Sequence, residues 1–398
     1  MDTRINALIE SVENRAKEIY SFPEIFVSTG GSGTGILAAI TALPDGQILL
    51  ARNCRKAVFD AVSLTRRNVR YLYPEEIYPG SFIYGGVDPE RVEEKLKTNS
   101  KIKAVVITSP TPEGVISDVE LLSEICHANG AVLIVDESLG AHLPYHEDYP
   151  TSAVFLGADV VIHDLSKTLP AKEQTALVFV DTEMELARKI RVALDTYSPD
   201  SMSEEALLSM QDCLDWAFRD EGAFTEHLHM LAEFREKFAQ INDLKLMGRE
   251  ILGTKGVFDL DEGRLCFRKD GITGIALGQF LQEEQGIEVD GAGISHVTIN
   301  IPVKTTRNDF RKIYKGLLAT AGMPKYQPRK EYTRKQVEQI SLLAVAKVGK
   351  QYRDFIYLTP PGCPVIAPGE IYTKEKKEQI TDLIDKGAEI AIWERYFS

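Results

Sequence analysis

Cysteine is scarce and scattered. Five thiols (Cys54, Cys126, Cys213, Cys266 and Cys363) occur in 398 residues. Their number is odd and no C-x-x-C pair is present, which excludes a disulfide framework and a zinc ribbon and points to reduced thiols. Long apolar runs are missing too, since no stretch approaches the roughly 18–20 residues that a bilayer span requires. The segment from Met1 to Glu24 carries Arg4, Glu10, Glu13, Arg15, Lys17 and Glu18 in place of an apolar leader, so a cytoplasmic location is expected. An excess of basic charge is also absent. Lys and Arg number 46 against 59 Asp and Glu, a net charge of −13, so a nucleic-acid polyanion would be repelled. Neither nucleic acid nor membrane is expected as a partner.

What is present is ordinary for a folded chain. Apolar residues make up 44% and charged residues 26%, which argues against disorder, collagen-like repeats or a coiled-coil rod. The length suits two or three domains of about 100–200 residues each.

Periodicity predicts an alternation of strands and helices. A helix over Thr3–Tyr20, with Ile5, Leu8, Ile9 and Val12 on one face, precedes a strand at Ile25–Val27, a glycine-rich turn and an apolar helix opening at Ile36. Strands then follow at Gln47–Ala51, Val69–Leu72, Ala104–Thr108, Ala131–Val135, Val160–Ile162 and Ala176–Val180. Helices at Lys56–Leu64, Asp88–Thr98 and Asp118–Asn129 separate the earlier ones. Apolar strands joined by helical crossovers imply a mostly parallel sheet covered on both faces. Helical patterning dominates from Glu183 to Gln240. Beyond it, short strands at Leu246–Gly248, Val257–Asp259, Arg264–Phe267 and Val297–Ile301 mix with helices at Gly274–Gln285 and Thr306–Thr320. The expected division is a large α/β domain over 1–195, connecting helices over 196–245, and a smaller α+β domain over 246–398. The Lys374–Lys377 stretch fits a solvated helix start.

Three segments could carry chemistry. Gly30-Gly31-Ser32-Gly33-Thr34-Gly35 lies between a strand and a helix, where backbone amides, hydroxyls and the helix dipole suit a phosphate. It matches neither G-x-x-x-x-G-K-[ST] nor strict G-x-G-x-x-G spacing, and a plain tight turn is the alternative. Asp136 follows the apolar run Val132–Val135, at the carboxyl end of a buried strand, where open α/β sheets place ligands. It could pair with a cation such as a protonated ring nitrogen, hold magnesium, or cap a helix. Ser166 and Lys167 end the third run, after Val160–Ile162. A lysine buried there would be costly as a cation, and a covalent bond to a carbonyl relieves that cost; a solvated surface lysine is the alternative. Together these supply anion donors, a carboxylate and an amine, the three groups that pyridoxal 5′-phosphate needs.

The chain resembles the ornithine/lysine/arginine decarboxylase family of fold-type I pyridoxal-phosphate enzymes. The resemblance is carried by Gly31-Ser32-Gly33-Thr34-Gly35-Ile36, Arg52-Asn53-Cys54-Arg55-Lys56, Thr108-Ser109-Pro110-Thr111, Asp136-Glu137-Ser138-Leu139-Gly140-Ala141-His142 and Ser166-Lys167-Thr168-Leu169-Pro170-Ala171. Pro360-Pro361-Gly362-Cys363-Pro364 and Pro368-Gly369-Glu370 continue it. It implies a mostly parallel sheet flanked by helices, a smaller C-terminal domain, and pyridoxal 5′-phosphate as cofactor. Lys167 would hold the cofactor as a Schiff base, and Asp136 would pair with its pyridinium nitrogen. Ser32, Gly33, Thr34 and Ser166 would cradle the phosphate, with Arg55 and Ser138 also at the cofactor and His142 as a candidate for substrate contact. The implied activity is decarboxylation of lysine, ornithine or arginine through an external aldimine and a quinonoid, in a homodimer with shared active sites.

Departures from the family pattern are part of this expectation. Arg55 stands where a ring-stacking histidine is usual, Ser166 where a histidine precedes the lysine, and Asp164 where a serine is usual. Pro112 replaces a frequent tyrosine and Leu139 a frequent histidine. The family's N-terminal segment with a His-Pro-Gly-His-type motif has no counterpart before the glycine-rich turn, so the pocket is expected to be built from the second domain or a neighbouring subunit. These differences keep open another reaction on the same cofactor (elimination, aldol-type cleavage, transamination or oxidation) and a non-catalytic relative. Elsewhere, His227 and His229 are two apart on a helical stretch and diverge, which disfavours a metal site. His146 fits a turn or surface role, and Glu370 a loop.

Overall fold

Segments such as Gln47–Ala51 and Ala176–Val180 are apolar along most of their length and buried at every residue, as strands covered on both faces must be. The structure is a computed structural model that describes residues 3–181, 184–198, 203–323, 348–352, 355–359, 364–386 and 388–393. The first part of the chain runs α1 (Thr3–Tyr20), β1 (Glu24–Ser28), α2 (Gly31–Ala42), β2 (Gln47–Ala51), α3 (Lys56–Leu64), β3 (Asn68–Leu72), α4 (Pro89–Thr98) and β4 (Ile102–Thr108). It continues with β5 (Val115–Ile116), α5 (Val119–Ala128), β6 (Val132–Asp136), β7 (Val160–Asp164), the single turn α6 (Leu165–Thr168) and β8 (Ala176–Val180).

Seven strands form one sheet in the order β1-β8-β7-β6-β4-β2-β3. The neighbours from β7 through β6, β4 and β2 to β3 are parallel, whereas β8 runs antiparallel to both β7 and β1. The mostly parallel sheet expected from the alternation is therefore present, with one reversed strand. Its core includes Ile40, Val106, Ile134, Val161 and Phe179.

Three helices follow, α7 (Met184–Tyr197), α8 (Glu204–Arg219) and α9 (Glu221–Phe238). Helix α8 packs on α1, where Arg15 meets Asp215 at 2.6 Å, and its apolar residues Leu207, Met210 and Leu214 join the core of the large sheet. Phe224, early in α9, belongs to that same core, while Phe234 and Phe238 belong to a second one.

The second core lies between α9 and an antiparallel sheet of β9 (Leu244–Leu246), β11 (Arg264–Lys269), β12 (Gly291–Ala292) and β13 (Val297–Asn300). Helices α10 (Gly274–Gln279) and α11 (Arg307–Ala319) cover it, and β10 (Asp259–Leu260) pairs with β5. The last described unit joins β14 (Phe355–Thr359), β15 (Pro364–Ile366) and β16 (Glu389–Trp393) with α12 (Lys374–Asp385). Residues 360–363 of the proline-rich match, including Cys363, lie outside the described residues. The other four cysteines are buried free thiols.

Candidate active site

The parallel arrangement brings the carboxyl ends of β1, β2, β4, β6 and β7 to one edge of the sheet, where the polar residues following each apolar strand gather. Thr108 lies beside Asp136 in the β4–β6 register, and Asp136 beside Ile162 in the β6–β7 register. Because side chains alternate along a strand, Asp136 and Asp164 share one face. Asp164 lies opposite Ala176, which in turn lies opposite Ser28, so the glycine-rich turn reaches the same edge through β8.

Asp136 is 1% exposed and held by a bidentate fork from Arg55, with Nε to Oδ2 at 2.7 Å and Nη2 to Oδ1 at 2.9 Å. Thr108 Oγ1 donates to Oδ2 at 3.3 Å, and Ser138 donates to Oδ1 through its amide at 3.2 Å and its hydroxyl at 2.5 Å. The roughly four lone-pair sites of a carboxylate are thus engaged by the chain itself. Burial works against the charge of Arg55, but the adjacent Asp136 outweighs it and raises the guanidinium above its ordinary pKa. Of the partners open to Asp136 from sequence, the structure supplies a cation from the chain: Arg55, the residue in the stacking position of the resemblance.

The cradle has two halves. On one side, α2 begins at Gly31 with no side-chain cap, and Gly33 faces open space, with nothing within 4 Å of where a Cβ would stand. Gly31 has φ +77°, a left-handed conformation that a glycine adopts without strain. On the other side, two of the three expected phosphate-binding hydroxyls already donate to Asp164. Ser32 Oγ reaches Oδ2 at 2.8 Å, and Ser166 reaches Oδ1 through Oγ at 2.7 Å and its amide at 3.2 Å. Thr34 Oγ1 turns back to the Gly30 carbonyl at 3.3 Å.

Lys167 sits on α6, immediately after Asp164 caps that turn. Its side chain is 40% exposed, with Nζ 3.6 Å from Glu173 Oε2, and its backbone oxygen accepts from Asn300 Nδ2 at 2.5 Å. The burial that sequence reasoning assigned to Lys167 is therefore corrected. The chain leaves β7 into a turn that lifts the side chain off the sheet, so its amine stays accessible.

His142 makes its contacts outside this cluster. It is 3% exposed, with Nε2 3.5 Å from Asp261 Oδ1 and its ring edge-on to Tyr149 at 4.8 Å. His227 is buried between the Tyr149 hydroxyl at 2.8 Å and the Ile301 carbonyl at 3.2 Å, and burial, reinforced by His142, lowers its pKa to about 4. His229 is exposed, and His146 meets Thr225 Oγ1 at 3.0 Å. Among the described residues, no group of three or more His, Cys, Asp or Glu could hold a metal ion.

Two networks went unrecognised in the sequence. Glu137 and His163, each adjacent to a candidate residue, point to the opposite face, where Glu137 Oε2 meets His163 Nε2 at 2.7 Å and Oε1 accepts from the Ala153 amide at 2.9 Å. Alternation at two adjacent strand ends was a usable signal for that pair. Glu370 is 6% exposed and accepts from Arg52 Nε at 3.0 Å, Tyr73 Oη at 2.9 Å and Lys376 Nζ at 2.8 Å. It is thus a buried ionic tie between the last unit and α3's entry, and no local pattern announces such a distant pairing.

Comparison with known proteins matches this geometry to a family. The description "Orn/Lys/Arg decarboxylase, major domain" fits residues 6–265. The chain belongs to the Orn/Lys/Arg decarboxylase family. Its relatives include an arginine decarboxylase of Halalkalibacterium halodurans, 25% identical over 95% of this chain and 81% of that protein, and one of Bacillus anthracis, 25% identical over 96% and 81%. Among solved structures, the lysine decarboxylase of Francisella novicida superposes with a TM-score of 0.75 at 16% identity, covering 96% of this chain and 69% of that one. A ureidoglycine–glyoxylate aminotransferase from Bacillus subtilis gives 0.63 at 17%, covering 80% and 85%. The architecture is that of fold-type I pyridoxal-phosphate enzymes, and family membership places the chain among the lyases.

The donor set of this decarboxylase-family chain suits pyridoxal 5′-phosphate in kind. An accessible amine, a buried carboxylate on the neighbouring strand and an uncapped helix N-terminus beside open space at Gly33 share one edge. Arg55 and Asp164 are the two groups that must share or yield partners. Among the described residues, no helix is long and apolar enough to cross a membrane.

Proposed function

We propose that this chain is a pyridoxal-phosphate-dependent decarboxylase of a basic amino acid (lysine, ornithine or arginine), acting in the cytoplasm as a homodimer whose subunits complete one another's sites. The observation that carries the reading is the placement of a buried Asp136 at the carboxyl end of β6 and an accessible Lys167 on the turn that leaves the adjacent parallel strand β7, at the sheet edge where the uncapped glycine-rich helix α2 also starts. Arginine is the first substrate to test, since the curated sequence relatives carry that activity in their names.

Bound at this edge, the cofactor would supply an aldehyde for the substrate amine and a ring that accepts the electron pair left when carbon dioxide departs. The chain's own residues orient that chemistry. Lys167 Nζ is the nucleophile available to an aldehyde, and its accessibility leaves it free to exchange with an incoming amine. Asp136, fixed by Thr108 and Ser138, would partner a ring nitrogen once Arg55 yields part of its fork. The amides at the start of α2 take a phosphate, aided by the helix dipole. His142, buried on Asp261, would position the substrate side of the site rather than the ring.

The test is release of carbon dioxide from carboxyl-labelled arginine, lysine and ornithine by the full chain at saturating cofactor. Release from at least one, lost in Lys167→Ala while the fold persists, is the expected outcome; no release from any of them would sink the proposal. The Arg55 fork on Asp136 favours a second reading, in which a different reaction runs on an amino acid at the same cofactor, because a neutralised Asp136 would alter the electronics of a ring placed beside it. Substrate consumption without carbon dioxide release would select that reading.

A further inference from the structure

Asp164 is placed where an anion-binding site ordinarily has none of its own charge. Its two carboxylate oxygens take the hydroxyls of Ser32 and Ser166 and the Ser166 amide, and the residue is 5% exposed. Ser32 lies in the first turn of α2, so the same carboxylate stands at the positive end of that helix dipole. The hydroxyl donors at this edge therefore already hold an anion, and that anion is tethered to the chain. Gly33 keeps open space next to it, so a phosphate could enter the region only as a second anion sharing these donors.

We infer that Asp164 is an internal competitor for the phosphate of the cofactor, so that this chain holds pyridoxal 5′-phosphate weakly and discriminates little between it and phosphate-free pyridoxal. The inference rests on the proposed cofactor and specifies how this chain receives it. Two anions drawing on one set of donors in a buried place repel each other, and the cost falls on the one whose attachment is reversible. Arg55 lies close enough to Asp164 to interact with it but is committed to Asp136 by its fork, so the described contacts give Asp164 no direct cationic partner. An aldehyde ligand without a phosphate meets no such opposition and relies on Lys167 and Asp136.

The experiment titrates the purified full-length protein with pyridoxal 5′-phosphate and, separately, with pyridoxal. Binding is followed by absorbance, and Lys167 attachment by borohydride trapping and peptide mass. Asp164→Asn keeps the shape and removes the charge; Asp164→Ser removes the carboxylate and puts a hydroxyl in its place. Both variants should bind the phosphorylated cofactor at least about tenfold more tightly than the parent, the size of one relieved like-charge contact, with pyridoxal affinity unchanged. Melting temperature measured without cofactor reports whether each variant is folded. Asp164→Asn binding the phosphorylated cofactor no tighter than the parent overturns the inference, as does an equal gain for pyridoxal. Failure of the parent and both variants to attach either compound at Lys167 would instead remove the cofactor reading, and this inference with it.

Discussion

Arg55 shows how one substitution reorganises a site at the scale of a single residue. A histidine in this position would be too short and too singly directed to fork a carboxylate, whereas a guanidinium presents paired donors that match one. Asp136 is buried, so its cation cannot be deleted without consequence. In Arg55→Ala the carboxylate stays buried with only hydroxyl and amide donors, a change that costs about 3–5 kcal/mol when one partner of a buried pair is removed. The cofactor-free variant should therefore melt well below the parent. Added pyridoxal 5′-phosphate should raise its melting temperature by more than it raises the parent's, because a ring nitrogen can then partner Asp136. Thermal melts with and without cofactor check both statements, and equal melting of variant and parent would show that the fork contributes nothing. The sequence marked Arg55 as unusual and Asp136 as a residue in need of a cation. It could not join them, because 81 positions separate the two and only the β2–β4–β6 register brings them together.

At the scale of the element, α2 separates two roles of glycine within three residues. A Cβ on Gly35 would stand 2.9 Å from Val178 Cγ2 and 3.5 Å from Ile162 Cγ2, so this glycine lets the helix lie close on β7 and β8. A Cβ on Gly33 would meet nothing within 4 Å. Gly33→Ala should stabilise the cofactor-free protein by about 0.5–1 kcal/mol through helix propensity while filling room at the cradle, so stability rises and cofactor affinity falls. Gly35→Ala should instead lose stability, since overpacking of about 1–3 kcal/mol exceeds that gain. Urea denaturation of both variants, with cofactor titration of Gly33→Ala, decides the matter; the same sign of stability change in both would refute the distinction. Elements of this kind were the most legible. Strands β2 and β8 and helices α1 and α3 lie at their expected bounds, because each is a continuous apolar run or a clean amphipathic face between turn residues. Strands β5 and β12 escaped notice and β10 falls at the end of the strand expected over Val257–Asp259, because two residues carry no periodicity and their pairing depends on partners far along the chain.

For the whole molecule, the telling contact joins two matched motifs from opposite ends. Arg52, from the Arg-Asn-Cys-Arg stretch, forks Glu370, from the Pro-Gly-Glu stretch, and Lys376 from α12 completes the pair. The sequence showed both motifs and read Glu370 as a loop residue, since 318 positions between partners leave no local trace. Burial opposes the Glu370 carboxylate, but Arg52 and Lys376 overcome it and hold its pKa at about 2 against an ordinary 4.5. A carboxyl depressed in the folded state contributes stability that is fully present above its unfolded pKa and lost as pH falls toward its folded value. The contribution is therefore complete above about pH 4.5 and disappears toward pH 2, a range that corresponds to about 3 kcal/mol. Because this tie anchors the unit built from β14, β15, β16 and α12 to the large sheet, acid should loosen that unit before the seven-stranded core. Hydrogen exchange between pH 5 and pH 3 should show the amides of β14 and α12 losing protection ahead of those of β4 and β6. Glu370→Gln, which cannot ionise, should show weak protection of that unit already at pH 5 and little further change on acidification. Parallel loss in both units, or an acid response unchanged by Glu370→Gln, would show that the link between the motifs does not hold the molecule together.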